Sequence, residues 1–302
     1  MKLNSMTSVI TKSALVLAAC ASLNAVAGTP SAKSGKEVVP PAESGALFDT
    51  IGATLEVGYD SRLYYRGLWF ADNAAWSGLN ISIPLTEQLS LGFGALYTTS
   101  VETTTNQDDD VAALGGLSDQ GDFEYSELDL STSLTFDAGF AKFGLVYTHY
   151  EFFDGFSGTN SGLPNGTGEL NVSSSDEVGL TVALPLGPVN FYTGAFYDFR
   201  IGGYYAEAGV DYPIEITSWL TLVPAVKAGY GFNDYYAGNT IIPGAPSSGF
   251  THLGLSLSAP IKLTKSATLT PYIAYNISGR TRRPINTQDN EIYGGAKLSV
   301  TF

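Results

Sequence analysis

From about residue 50 to the last residue, the chain alternates apolar and polar side chains with a period of two. The final stretch, "EIYGGAKLSVTF", shows it most clearly. Ile292, Gly294, Ala296, Leu298, Val300 and Phe302 fall on one side, and Glu291, Tyr293, Lys297, Ser299 and Thr301 on the other. Period two is the signature of β-strands with two unlike faces, and no segment shows a sustained helical period. The chain is therefore all-β. Its strands are long, and the spacing predicts about 12 of them. They are placed near 52–66, 73–84, 89–102, 123–136, 140–153, 173–185, 189–200, 203–215, 219–231, 249–260, 267–278 and 290–302.

The connections come in two kinds. "IPLTEQLSL", "FDAGFAKF", "LPLGPVNF", "IEITSWLTL" and "APIKLTKSATL" are short and turn-like. "TTTNQDDDVAALGGLSDQG", "DGFSGTNSGLPNGTG", "NDYYAGNTIIPGAPSSG" and "GRTRRPINTQDN" are longer and more polar, while the positions near "LWFADN" and "RIGG" hold short connections on the long-loop side. Short turns thus alternate with long loops, and an even strand count puts both ends of the sheet on the short-turn side. That is the asymmetry of a closed antiparallel transmembrane β-barrel with short periplasmic turns and longer extracellular loops.

Each strand has an apolar face, for example Leu55, Val57 and Tyr59, or Leu128, Leu130, Leu134 and Phe136. The other face carries the charges: Glu56, Asp60, Arg62, Arg66, Glu127, Asp129, Lys142, Glu177, Asp198, Arg200, Glu207, Asp211, Lys227, Glu291 and Lys297. Alternation alone does not say which face is inside. Two arguments put the charges inward. A barrel of about 12 strands is too wide for side chains to fill as a dry core. Tyr64, Tyr65, Tyr97, Tyr147, Tyr150, Tyr197, Tyr204, Tyr205 and Tyr230 also gather toward the long-loop ends, where amphipathic rings suit a membrane interface. Closure of the last strand on the first then explains why the chain runs to Phe302 in mid-strand, leaving no edge in lipid.

The other end has its own pattern. Lys2 and Lys12 precede an apolar run from Ala14 to Leu23, followed by Ala25-Val26-Ala27. This predicts a secretory signal peptide over 1–27, cleaved after Ala27. Leu17-Ala18-Ala19-Cys20 offers an alternative, a lipobox that would make Cys20 a lipidated N-terminus. Cleavage after Ala27 would remove the only cysteine and leave a mature chain without disulfides. Residues 28–47 are polar and contain proline, as a flexible periplasmic leader does, so the barrel is assigned to 48–302. The net charge of −14 excludes nucleic acid as a partner.

The last strand, "AKLSVTF", resembles the C-terminal signature of Gram-negative outer-membrane β-barrel proteins, alternating apolar residues that end in Phe. The first strand, "EVGYDSRLYYRG", is similar to the opening strand of small porins of the TorF type. The resemblance implies a small barrel in the cell outer membrane, among lipid and lipopolysaccharide, with Phe302 read by the barrel-assembly machinery. A channel is compatible with it; a substrate is not implied.

The candidate lumen lining is Glu56, Asp60, Arg62, Arg66, Glu127, Asp129, Lys142, Asp198, Arg200, Glu207, Asp211, Lys227 and Lys297. These residues would form either a charge-selective constriction or an internal ion-pair network that closes the bore. His252 shares the charged phase beside Thr251, and His149 has the outward phase beside Glu151, with no local nucleophile motif near either. No catalysis is expected from them. Asp108-Asp109-Asp110 could bind Ca²⁺ or be a solvated acidic loop, and it lacks the glycine of an EF-hand. No cofactor or metal cluster is expected. The reading is a porin-like channel for passive diffusion of small polar solutes or ions. A non-conducting structural or adhesive barrel is the alternative, and an outer-membrane lipid hydrolase a further one. The sequence is silent on oligomeric state.

Overall fold

In a computed structural model of the chain, residues 52–101, 125–153, 158–160, 168–170, 174–200, 202–233, 235, 248–279 and 290–302 are described. The expected signal peptide, the leader and Asp108–Asp110 lie outside them. Twelve strands form the wall: β1 (Gly52–Tyr65), β2 (Leu68–Pro84), β3 (Leu89–Ser100), β4 (Ser126–Asp137), β5 (Lys142–Phe152) and β6 (Ser174–Leu186). They continue as β7 (Val189–Asp198), β8 (Gly203–Asp211), β9 (Thr221–Phe232), β10 (Gly249–Ser258), β11 (Ala267–Ser278) and β12 (Asn290–Thr301). Short extensions, Ile214–Glu215 and Ile261–Lys262, carry the ladder on past Pro213 and Pro260, which have no N–H to donate to it. A separate two-stranded ribbon joins Gly158–Asn160 to Gly168–Leu170.

Every strand pairs antiparallel with its chain neighbour, and β12 pairs with β1 from Thr54↔Thr301 to Asp60↔Gly295. The sheet is therefore a closed barrel with no free edge among the described strands. Its all-β class and count of twelve match the expectation from the sequence. No helix among the described residues is long and apolar enough to cross a membrane.

The short turns have a shared chemistry. Thr86 Oγ1 accepts the N–H groups of Gln88 and Leu89 at 3.2 and 2.9 Å. Thr217 does the same for Trp219 and Leu220 at 3.3 and 3.0 Å, and Thr264 for Ser266 and Ala267 at 3.2 and 2.9 Å. A threonine three or four residues before the next strand satisfies backbone donors in the turn. In the β4–β5 turn, Asp137 Oδ1 accepts the N–H of Gly139 at 2.8 Å instead.

The first long-side connection differs from the expected boundary. β2 begins at Leu68 rather than near 73, and the turn is the dipeptide Arg66-Gly67, both residues at positive φ (51° and 82°). Paired positive φ values in a two-residue hairpin match the strand twist, so the hairpin needs no longer loop.

The faces divide sharply. Leu55, Val57, Leu79, Phe93, Leu134, Leu145, Leu180, Leu257 and Ile273 are exposed on the outside. Glu56, Asp60, Glu127, Asp129, Glu177, Asp198 and Asp211, of the opposite phase, are buried. In a protein dissolved in water the reverse division is expected.

Candidate functional site

Most of the charged phase of the strands faces the bore, where most of its side chains find partners. Near the short-turn end, Glu56 on β1 accepts from Lys297 Nζ at 2.9 Å and from Ser299 Oγ at 2.6 Å, both on β12. Two repeats of the alternation higher, Asp60 accepts from Trp76 Nε1 of β2 at 2.9 Å and from the Tyr272 hydroxyl of β11. Arg62 contacts Glu291 across the β1–β12 seam and Asp72 at 3.5 Å. On the far wall, Lys227 lies 3.6 Å from Glu207 and Asn190 donates to Asp211 at 2.7 Å. Ser175 donates to Asp198 at 2.9 Å. Lys142 reaches Asp137 at 3.3 Å beside the β4–β5 turn. Glu127 accepts from the Tyr125 hydroxyl and is in hydrogen-bond contact with Asp129. Arg200 departs from the set. It stands exposed in the turn after β7, where its guanidinium donates to the Ser174 carbonyl at 3.0 Å instead of facing the bore.

Arg66 has the longest reach. From the β1–β2 turn it meets Glu177 on β6 with two parallel bonds, Nη1 to Oε2 at 2.5 Å and Nη2 to Oε1 at 2.7 Å. β6 is four strands from β2 along the wall, so this fork-to-fork pair is a chord across the bore. Aromatic faces surround the guanidinium: Tyr205 at 4.4 Å, Phe196 at 4.5 Å, Tyr65 at 4.7 Å and Tyr235 at 5.6 Å from ring centroid to Cζ. Its Nη1 also contacts the Tyr235 hydroxyl. Tyr150 donates to Glu177 at 3.3 Å and lies 3.0 Å from the Tyr65 hydroxyl. Arg66 is 1% exposed and Tyr205 is 0% exposed. A buried guanidinium is costly unless its charge and donors are both met, and here a carboxylate fork and aromatic faces meet them together.

This cluster corrects two expectations. Tyr64, Tyr65, Tyr150 and Tyr205 do not stand at an outer interface; they turn inward and help close the bore. Tyr97, Tyr147, Tyr204 and Tyr230 do stand outside. Nor is the space within twelve strands left wholly unfilled. Val146, Phe196, Tyr205 and Tyr235 pack together on one side, and Leu63, Ala71, Ala74, Leu96 and Tyr125 on another. Beside the chord a cavity of about 40 Å³ remains, lined in part by Tyr64, Arg66, Tyr192, Lys227, His252, Asn276 and Tyr293. At about 10–15 Å³ per water, it has room for a few waters and not for a sugar or an amino acid.

Sequence reasoning placed Arg66 and Glu177 on one face but did not pair them. It missed Tyr65, Tyr150, Phe196, Tyr205 and Tyr235 as parts of the site. Tyr150 and Tyr205 carry a usable signal, since each is two residues from an inward Thr148 or Glu207. Tyr235 lies past the end of β9 and has no such phase.

The histidines fall into separate settings. His252 and Thr251 are both buried, because the ladder shifts register at Gly229/Tyr230, and His252 Nδ1 is 3.1 Å from Thr251 Oγ1. His149 is on the outer face, with Nδ1 2.8 Å from Asp176 and Nε2 3.3 Å from Glu151. No group of three or more metal-ligating side chains occurs among the described residues.

Fold and site together define a closed twelve-stranded antiparallel barrel with an apolar outer wall, an inner face rich in buried carboxyl groups and an Arg66–Glu177 pair across it. No family model matches the chain. No curated protein matches it. Among solved structures it is similar to an outer membrane channel from Pseudomonas putida F1, at 11% identity over 88% of this chain and 100% of that one, with a TM-score of 0.48. It is also similar to LpxR from Salmonella typhimurium (11% identity, 82% and 99% covered, TM-score 0.45) and to the KdgM porin (8% identity, 82% and 99% covered, TM-score 0.44).

Proposed function

We propose that the chain is an outer-membrane channel for small polar solutes or ions, with Arg66 and Glu177 paired across its bore. The observation that carries this reading is the division of the wall. Apolar side chains are exposed outside along strands of 9 to 17 residues, enough for a tilted strand to cross a bilayer, while buried carboxyl groups line the inside. A ring of carboxylates favours cations. The likeness of the first strand to TorF-type porins agrees with this reading, as does Phe302, whose N–H donates to the Ala53 carbonyl at 2.9 Å and so seals β12 onto β1 where an assembly machinery would read it.

The cross-bore pairing specifically favours a second reading, a non-conducting barrel that acts through its loops. Conductance in a planar bilayer under a salt gradient separates the two. The channel reading expects unitary steps with a cation-selective reversal potential, and larger steps in Glu177→Gln. A folded, heat-modifiable barrel that never conducts, with or without that substitution, would establish the second reading.

A further inference from the structure

We infer that the seat of the Arg66 guanidinium is a binding site for an organic cation, specifically a guanidinium compound that carries a second positive group. The inference rests on the channel reading above and deepens it by naming the solute class.

The geometry is that of a ligand site whose occupant happens to be tethered. A planar cation lies against Tyr205, Phe196, Tyr65 and Tyr235, with their ring centroids within 5.6 Å, and its two amino groups meet the two oxygens of Glu177. Aromatic faces with one carboxylate fork select guanidinium over a spherical, strongly hydrated ion. The tether is short: Arg66 sits in the two-residue turn that joins β1 to β2 and bonds to a strand on the opposite side. When the turn swings out, the seat is left whole, because every other part of it belongs to β1 or to β5 through β9 and the residues just after.

A second observation points to the same class of ligand. Two strands from Glu177, on β4, lies Asp129, 4% exposed, whose Oδ1 is buried without a hydrogen-bond partner. Its neighbour Glu127 is itself a carboxyl group. The two carboxyl groups leave an acceptor facing the interior that a donor must meet, and Arg66 does not reach it. An ammonium group on the far end of a guanidinium ligand would. Among the described residues seven buried carboxyl side chains outnumber the inward cations Arg66, Arg62, Lys227 and Lys297, so the interior has the matching sign.

The test uses the full barrel refolded in detergent, with Arg66→Ala to empty the seat. Thermal unfolding followed by tryptophan fluorescence reads binding, and methylguanidinium and agmatine at millimolar concentration are the probes, with sodium at equal ionic strength as control. The expected result is stabilisation of Arg66→Ala by methylguanidinium at about tenfold lower concentration than for Arg66→Ala/Glu177→Gln, the loss of one charge-assisted fork. Agmatine should act at lower concentration than methylguanidinium, and Asp129→Asn should erase that advantage. Should Arg66→Ala fail to fold alone, its refolding yield becomes the readout, and a yield restored by methylguanidinium supports the site. An Arg66→Ala barrel that responds to methylguanidinium no more than to sodium, in stability and in yield, overturns it. Conductance keeps the two readings apart: a conducting variant indifferent to methylguanidinium overturns the seat and leaves the channel, whereas a variant that binds it but never conducts supports the seat and removes the channel.

Discussion

Replacing Leu180 with Arg gives opposite outcomes in the two solvents this wall could face. Leu180 lies at the middle of β6, pairs with Leu145 and Ala195, and is 62% exposed. If its surroundings were water, trading one exposed side chain for another would change stability by about 0.5 kcal/mol or less. If its surroundings are lipid, the exposed part of the leucine contributes about 1–2 kcal/mol of transfer energy, taking 62% of the roughly 1.5–3 kcal/mol for a whole side chain. A guanidinium near the midplane costs about 2–4 kcal/mol there, and close to nothing near an interface. Leu186, at the short-turn end of the same strand and 57% exposed, is the internal control. Equilibrium unfolding in phospholipid vesicles, followed by tryptophan fluorescence, should therefore show Leu180→Arg destabilised by about 2–4 kcal/mol and Leu186→Arg by about 1 kcal/mol or less. Equal, small effects at the two positions would refute the assignment of this face to lipid, and with it the argument that the charged face is a bore.

Two further outcomes follow from the geometry. Gly67→Ala should cost about 2–3 kcal/mol, because φ is +82° and an added Cβ would collide with the His252 side chain; Gly139→Ala, at φ +85° in open space, should cost only about 1 kcal/mol, and denaturant titration of both variants compares them. Thr217→Ala should lose about 0.5–1.5 kcal/mol from the two N–H groups its hydroxyl holds, read the same way, while Thr217→Ser retains them.

The wall was legible from the sequence because its cause is local. An exposed face and an enclosed face impose a period of two on every strand, and turn chemistry marks where each ends. Short turn-like connections and the final run into Phe302 gave boundaries close to those observed. The exception, β2, shows what misleads. "ADN" has the composition of a turn, yet Asn73 takes its positive φ inside the strand, and the actual turn is Arg66-Gly67. The dipeptide was visible but short, and nothing in its composition says that the hairpin folds toward the bore.

The site was less legible because alternation assigns a residue to a face and says nothing of chords across the ring. Arg66 and Glu177 are 111 residues apart, and their pairing depends on barrel diameter, stagger and the inward lean of one turn. That same non-locality is what suits the pair to a latch. Strands of a closed barrel cannot part without losing ladder bonds, so a bore blocked by its wall could open only at great cost. A bore blocked by a chord loses the two bonds to Glu177, the contact with the Tyr235 hydroxyl and a set of ring contacts when a two-residue turn moves, and no strand pairing between distant strands. The aromatic rings lessen even that loss, since they keep Glu177 in a seat that another cation can fill. On the channel and seat proposed above, a solute of the right chemistry would replace the bonds that opening gives up.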